Sequence, residues 1–239
     1  MTAEEFKFIN LLELGKTKEI NEIVWTDRLK EIKLRKYCKV DNLIIPDTVI
    51  KLNTGIFFNS PIDSVKLSNN LQEIIFGNPF NQPLDKVIFP ESLISIEFEG
   101  KYSHSICDIK FPPQLESLNL GPEFNLSLEN VQFQDTLKIL KLGHHYNQSI
   151  DNIIFPQYLE TLRIGKSFND TMNNLPFNLL HLELNGLKSP LVNLPYMLKS
   201  LTIYILDSEI EKMNGLIELS KIPFECELKK IVVDKYNWW

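Results

Sequence analysis

The chain has 239 residues, of which 44% are hydrophobic and 23% are charged, and its formal net charge is -6. This hydrophobic share excludes a disordered chain, and the length suffices for one or two domains with a sizeable core. The mild acidic balance argues against nucleic acid as a partner, and no apolar run approaches the roughly 20 residues that a membrane-spanning helix needs.

Cysteine usage and the N-terminal residues indicate a reduced compartment. The three cysteines, Cys38, Cys107 and Cys226, are far apart and form no C-x-x-C pair. Glu4 and Glu5 stand where a secretory signal would carry basic residues. We therefore expect a cytoplasmic protein without a disulfide framework and without a membrane anchor.

The first residues are predicted to form a helical cap. Thr2, followed three residues later by Glu5, resembles a capping box, and a helix is predicted from there to about Leu14. Gly15 would end this helix. We assign residues 1–28 to an N-terminal helical cap.

A repeat with a period of 22 residues occupies most of the chain. An aromatic residue recurs at this interval, at Phe58, Phe80, Tyr102, Phe124, Tyr146 and Phe168. Asparagine follows it at Asn59, Asn81, Asn125, Asn147 and Asn169, with Ser103 as the one substitute. Self-similarity at a fixed period predicts a solenoid, in which each unit is stable only when it is stacked on its neighbours.

Each unit contains one short pattern twice. Apolar residues alternate and a glycine or proline then ends the run, as in residues 71–77 and 84–90. Alternation of this kind predicts strands, and the period is too short for two strands and a helix of ten residues. Each unit is therefore predicted to be a coil with two short strands, and the solenoid is predicted to span residues 29–203.

The corner asparagines are predicted to be structural. A side-chain amide at a sharp corner can bond the backbone of its own turn and that of the next coil, which forms a ladder. Asn125, Asn147 and Asn169 also begin glycosylation sequons. Because no secretory signal is evident, we interpret these three residues as parts of the ladder.

The last residues depart from the repeat and are predicted to form a C-terminal cap over residues 204–239. Within it, residues 209–219 are weakly helical in pattern and residues 228–233 read as a strand. Two alternatives remain for Trp238 and Trp239: they pack on the last coil, or they anchor a partner.

The repeat units resemble a known family. Residues 58–62, 80–84 and 146–150 are similar to the FNIP repeat, a variant of the leucine-rich repeat (LRR), over roughly residues 40–205. The resemblance implies an LRR-like, mainly β solenoid that binds proteins. FNIP-repeat proteins are typical of social amoebae and of giant viruses that infect them, which implies the host cytoplasm if the chain is viral. Some viral members carry an F-box and look like ubiquitin-ligase adaptors.

Catalytic motifs are not evident. Gly15-Lys16-Thr17 lacks the first glycine of a phosphate-binding loop, and none of the four histidines has zinc-ligand spacing to another histidine or cysteine. H-E-x-x-H, G-x-S-x-G and C-x-x-C motifs do not occur. We predict no catalytic residue, no cofactor and no metal.

A partner-binding stripe is predicted on one strand of each coil. The interleaved strand positions face solvent and align in columns along the solenoid. We hypothesise a protein-docking stripe centred on Ile139, Lys141 and Arg163. The candidate residues are Glu97, Asn119, Ile139, Lys141, Thr161, Arg163, His181 and Glu183. The alternative is that these charges form a merely solvated face. A competing column contains Lys66, Ile88, Lys110, Gln132 and Ile154, and the sequence does not settle which column is concave.

Three functions remain open from the sequence. The first is a non-enzymatic protein-interaction module, with a protein partner and with neither nucleic acid nor membrane. The second is a substrate-recognition subunit of a ubiquitin ligase, whose adaptor-binding element lies in residues 1–28 or in the C-terminal segment. The third is an enzyme whose site lies in the divergent C-terminal segment.

Overall fold

Both parts of the chain are mainly β. The computed structural model describes residues 11–14, 27–36, 38, 40–218 and 221–233. The chain divides into two compact units, residues 1–117 and residues 118–239. In each unit a short strand recurs about every 22 residues, and all the described strand pairs are parallel, as the predicted solenoid requires.

Unit 1 contains five strands that pair in chain order. They are β1 (Leu11–Leu14), β2 (Glu31–Leu34), β3 (Lys51–Asn53), β4 (Glu73–Phe76) and β5 (Ser95–Phe98). Leu52 lies opposite Ile74, and Ile74 lies opposite Ile96, so the register advances by one repeat per strand. Residues that pair across neighbouring strands of this sheet are thus separated by one sequence repeat.

Unit 2 continues the same arrangement with a longer final connection. Strand β6 (Ser117–Asn119) spans the boundary of the two units. It is followed by β7 (Ile139–Lys141), β8 (Thr161–Ile164), β9 (His181–Asn185), β10 (Ser200–Ile205), a 3-10 turn (Asp207–Glu209), α1 (Ile210–Asn214) and β11 (Glu227–Val232). From β7 to β11 each strand pairs with the next.

The core lies behind the strands and is formed by the alternating apolar residues. Leu140, Leu162, Leu182 and Leu201 are in register and each is 0% exposed. The residues that alternate with these leucines along β7, β8 and β9 are half-buried and point away from the core. Burial of each such side chain contributes about 1.5–3 kcal/mol before the entropy of ordering is subtracted.

Turns close each coil at fixed positions. In one coil of unit 1, the amides of Phe80, Val87 and Leu93 donate to the carbonyls three residues earlier, at 2.9, 3.1 and 3.1 Å. Glycine is needed at the first of these turns, because a Cβ on Gly77 would overlap the carbonyl of Gly55 in the preceding coil. Gly143 approaches Gly121 of its preceding coil in the same way.

The prediction of two strands per coil is wrong for the second copy of the pattern. Val87, Ile88 and Phe89 alternate between buried and exposed as a strand would, with 5%, 88% and 9% exposure, yet they belong to no strand. Among the described residues outside the named strands, the one bridge is Ile44 with Lys66. Any extended segment that lies over a core shows alternating burial. A ladder of hydrogen bonds also needs a neighbouring backbone about 4.8 Å away.

The predicted helix does not reach Leu14. Residues Leu11–Leu14 form β1, which pairs with β2 and covers the edge of the first coil. Leu12 and Leu14 fit the period of a strand as well as that of a helix, and pairing with Ile32 and Leu34 decides between them. The sheet thus begins before residue 29. The rest of the predicted helical cap, including Thr2 and Glu5, lies outside the described residues.

The C-terminal segment contains the elements that its sequence indicates. The predicted strand is confirmed as β11, and residues Ile210–Asn214 of the weakly helical stretch form α1. Strand β11 pairs with β10 over six residues, so this segment joins the sheet. Trp238 and Trp239 lie outside the described residues.

The repeated aromatic residues and asparagines form two files. The rings of Phe58 and Phe80 stack at 6.4 Å, and those of Phe124 and Tyr146 at 6.5 Å, each pair within 4° of parallel. The Oδ1 atoms of four of the five corner asparagines accept the amide N–H at the same position of the next coil. The distances are 2.8 Å for Asn59 to Asn81, 3.0 Å for Asn81 to Ser103, 2.8 Å for Asn125 to Asn147 and 2.8 Å for Asn147 to Asn169.

Candidate functional site

The column that the sequence predicts to face solvent on the glycine-ended strands is partly covered in unit 1. Ile75 belongs to this column and is only 8% exposed.

Six of the eight predicted partner-binding residues come together in unit 2. Ile139, Thr161 and His181 are in register on β7, β8 and β9. Lys141, Arg163 and Glu183 form the adjacent column on the same strands. We call these six residues, together with Tyr204 on β10, the unit-2 sheet face.

The other two predicted residues lie on β5 and β6. Asn119 is next to the unit-2 sheet face, because the following residue, Leu120, donates its amide N–H to the carbonyl of Lys141 at 3.0 Å. Glu97 is on β5 in unit 1, in register with Ile75. Asn119 is on β6, and its Oδ1 atom accepts the amide of Gly121 at 3.2 Å, so this side chain supports the following turn.

Arg163 is held in place from three sides. Its Nε atom lies 3.9 Å from Oε2 of Glu183, and its guanidinium donates to Oδ1 of Asn185 at 3.4 Å. Its Cζ atom lies 5.5 Å from the centroid of the Tyr204 ring, within the range of a cation–π interaction. The Arg163 side chain is 18% exposed. This guanidinium is thus fixed in a defined position, and its charge is partly compensated.

Lys141 and His181 differ in their surroundings. Lys141 is the register neighbour of Arg163 and forms no ion pair with the residues that the structure describes. Nδ1 of His181 lies 2.8 Å from the hydroxyl oxygen of Ser200 on the next strand. The positive charge that remains available on the unit-2 sheet face is therefore that of Lys141.

Sequence reasoning missed Tyr204 and Asn185. Tyr204 continues the alternation of Ser200 and Thr202 along β10, so extending the strand by two residues would have found it. Asn185 is 1% exposed and follows the last inward leucine of β9. It takes the place of the glycine that ends the strand in earlier coils, and no local signal indicated that its side chain would contact Arg163.

The competing column is the more exposed one. Ile88 is 88% exposed in unit 1, and Ile154 is 79% exposed in unit 2. Each is a single apolar residue beside polar neighbours, such as exposed Lys110. Scattered exposed isoleucines are ordinary on protein surfaces, so this column has no feature that singles it out for binding.

Comparison with family models agrees with the repeat. Residues 58–101 and 133–167 match the model described as the FNIP repeat. FNIP repeats are therefore matched in both units. Both matched ranges include the corner aromatic, the asparagine and the turn that follows, which are the elements of the two files described above. A comparison with curated proteins gives no match.

The fold of the chain is similar to that of a solved viral protein. The crystal structure of CroV588, described as a novel circular LRR protein, superposes with a TM-score of 0.52 at 23% identity. The likeness covers 92% of this chain and 43% of CroV588, so the chain spans less than half of that protein. At this identity the likeness establishes an LRR-type fold.

The described part of the chain has neither a membrane-spanning helix nor a cluster of metal-ligating residues. It contains no helix with the length and apolar character to cross a bilayer. It also contains no group of three or more histidine, cysteine, aspartate or glutamate residues placed to hold a metal ion.

Proposed function

We propose that this FNIP-repeat protein is a protein-interaction module whose partner docks on the unit-2 sheet face. LRR-type solenoids are commonly protein-interaction scaffolds, and their stacked coils offer an extended concave surface. The observation that carries the proposal is the arrangement of Arg163, which Glu183 and Asn185 hold against the ring of Tyr204.

Pre-ordering of this kind favours binding. Arginine and tyrosine are enriched among the residues that dominate binding energy at protein interfaces. A side chain that is already immobilised loses less conformational entropy when a partner arrives. Since Arg163 is partly neutralised by Glu183, Lys141 provides the charge that attracts the partner. We therefore expect an acidic group on the partner opposite Lys141.

The test is a single charge reversal at Lys141. We expect Lys141→Glu to weaken partner binding at least tenfold, because it places a carboxylate where the partner carries one. Reversal of Arg163 is a poorer test, since it would leave Glu183 and Asn185 without their cation and would destabilise the fold. The matched control is Lys110→Glu, which makes the same charge change in an exposed residue of the competing column.

The measurement is affinity capture from amoebal lysate followed by titration with the purified partner. The proposal requires one partner that both the wild-type protein and the Lys110→Glu variant bind, and that the Lys141→Glu variant loses. Equal recovery by all three proteins would contradict it. Recovery of ubiquitin-ligase core subunits would favour the substrate-recognition role.

A further inference from the structure

A second candidate site lies at the carboxyl ends of β8, β9 and β10 in unit 2. A cavity of about 350 Å³ opens there, bounded on one side by the corners that follow β8 and β9 and on the other by the 3-10 turn and α1. Its lining combines three lysines with one glutamate, one asparagine and apolar residues. They are Lys166, Asn169, Gly186, Leu187, Lys188, Ile205, Glu209, Lys212 and Leu216.

The polar part of this cavity is cationic. Lys166 pairs with Glu209 at 3.5 Å, which accounts for the one acidic residue of the lining. Lys188 donates to the carbonyl of Ser167 at 3.3 Å and keeps its charge. Lys212 forms no ion pair with the described residues. Two positive charges of the lining therefore have no acidic partner in the part of the chain that the structure describes.

The positive potential is also evident at a neighbouring histidine. Burial lowers the pKa of His144, and His145, Lys166 and Lys188 lower it further, against the opposing effect of Glu123. Two of the cavity lysines thus act on a group that does not line the cavity. An anion seated between these lysines would offset their effect on His144.

The cavity exists because the repeat changes at this corner. The ladder of corner asparagines runs from Asn125 through Asn147 to Asn169. The next corner, at Leu187 and Lys188, has neither the aromatic residue nor the asparagine. The side chain of Asn169 lines the cavity and forms no hydrogen bond with the described residues.

The backbone leaves space at the same point. Gly186 has a positive φ of 95°, and a Cβ built on it would meet only Cγ of Lys166, at 3.8 Å. At Gly165, one coil earlier, a Cβ would instead overlap the backbone of the preceding coil. The open floor at Gly186 and the walls at Leu187, Ile205 and Leu216 provide room for a carbon body beside a charged group.

We propose that this cavity binds a phosphate monoester. The phosphate group pairs with Lys188 and Lys212, the Asn169 amide donates a hydrogen bond to it, and the apolar wall receives the carbon body. Two uncompensated lysines match the charge of nearly -2 that a monoester carries near pH 7. A small phosphate ester and a phosphorylated side chain of a partner share this chemistry.

The test is a titration of the intact chain with two phosphate monoesters. Phenyl phosphate represents a free small ester, and N-acetyl-phosphoserine amide represents a phosphorylated side chain. Calorimetry and histidine NMR are used at constant ionic strength. We expect at least one probe to bind, and we expect bound phosphate to raise the titration midpoint of His144.

Matched variants separate a built site from general surface charge. We expect Lys188→Gln/Lys212→Gln to weaken binding at least tenfold and to abolish the His144 response. The control Lys86→Gln/Lys110→Gln removes the same charge from two exposed lysines of unit 1 and should bind as the wild type does. If the first double variant unfolds, Lys212→Gln alone replaces it.

The outcomes decide between the possible sources of phosphate. Tighter binding of the phosphoserine probe indicates a phosphorylated protein, and tighter binding of phenyl phosphate indicates a small ester. Absence of binding by both probes, or equal loss of binding in the two double variants, would overturn the proposal. None of these results depends on the unit-2 sheet face.

Discussion

Two tyrosine hydroxyls are buried in the aromatic files without a hydrogen-bond partner. Tyr102 and Tyr146 are each 0% exposed, and neither hydroxyl has a partner in the structure. Burial raises the pKa of both phenols above the ordinary value. Phenylalanine occupies the same position at Phe80 and Phe124, so the repeat itself accommodates the residue without the hydroxyl.

We expect Tyr146→Phe to stabilise unit 2 by about 0.5–2 kcal/mol, because it removes an unsatisfied buried hydroxyl and keeps the ring. Urea unfolding monitored by circular dichroism gives the free energy of unfolding. Tyr158→Phe is the control, since Tyr158 is 58% exposed and its hydroxyl is solvated. Destabilisation of the Tyr146→Phe variant would indicate that the hydroxyl has a partner, such as a bound water.

At the scale of single residues, the sequence predicts inward and outward positions better than contacts. The period alone places Ile139, Lys141 and Arg163 on one face, and the strand registers bear this out. The contact of Arg163 with Tyr204 joins residues about two coils apart. Side-chain direction at such a distance depends on packing, which a repeat pattern does not contain.

Among the elements, the corner asparagines link one coil to the next. In unit 2 the Oδ1 atoms of Asn125 and Asn147 accept an amide N–H one repeat later, and this ladder is exposed to solvent. An exposed hydrogen bond exchanges readily with water, so its net contribution is smaller than that of a buried one. We therefore expect less from this ladder than the about 1–3 kcal/mol that unpairing a buried group costs.

We expect Asn147→Ala to reduce the free energy of unfolding by about 0.5–1.5 kcal/mol, because the amide of Asn169 loses its acceptor. The comparison is Asn152→Ala, an exposed asparagine of the same coil that forms no hydrogen bond with the described residues. Thermal or urea unfolding of both variants measures the difference. Equal stability of the two variants would show that the ladder contributes nothing measurable.

The prediction of the elements is uneven for a physical reason. The strands that end in glycine form as predicted because alternation and close coil spacing occur together, as at β4 and β8. The second copy alternates equally well at Val87 and Phe89 but forms no named strand, and its one bridge among the described residues joins Ile44 to Lys66. Alternation reports burial, and only the spacing of neighbouring backbones decides pairing.

For the whole chain, stability is expected to depend on alkaline pH. Burial raises the pKa of the Cys38 thiol from about 9 to about 11 and also raises the pKa values of Tyr102 and Tyr146. These groups therefore ionise in the unfolded chain at a lower pH than in the folded one. The folded state binds more protons in this range, so its stability falls as the pH rises.

We expect the urea midpoint to fall between about pH 9 and pH 11. The thiol alone contributes a slope of about 1.4 kcal/mol per pH unit in that range. Cys38→Ala should reduce the slope between about pH 9 and pH 10, although it also lowers stability at neutral pH by removing a buried group. Cys107→Ala provides the control, and identical slopes in all three proteins would contradict the prediction.

The order and register of the strands were more predictable from the sequence than the structure of the terminal segments. A period of 22 residues determines which residues of neighbouring strands pair, as the pairing of Leu52 with Ile74 illustrates. The N-terminal segment carries no repeat, and its apolar residues suit either a helix or β1. The cavity at Gly186 was not predicted either, because it arises from the loss of a motif rather than from its presence.

The close approach of each repeat glycine to the carbonyl one coil earlier has an evolutionary consequence. A Cβ is excluded at Gly143 by Gly121, so an insertion of one or two residues between them would set a bulky side chain against that carbonyl. Duplication or deletion of a complete coil leaves each glycine opposite its carbonyl. Recombination should therefore change the length of such chains in whole repeats, while point substitutions diversify the exposed side chains.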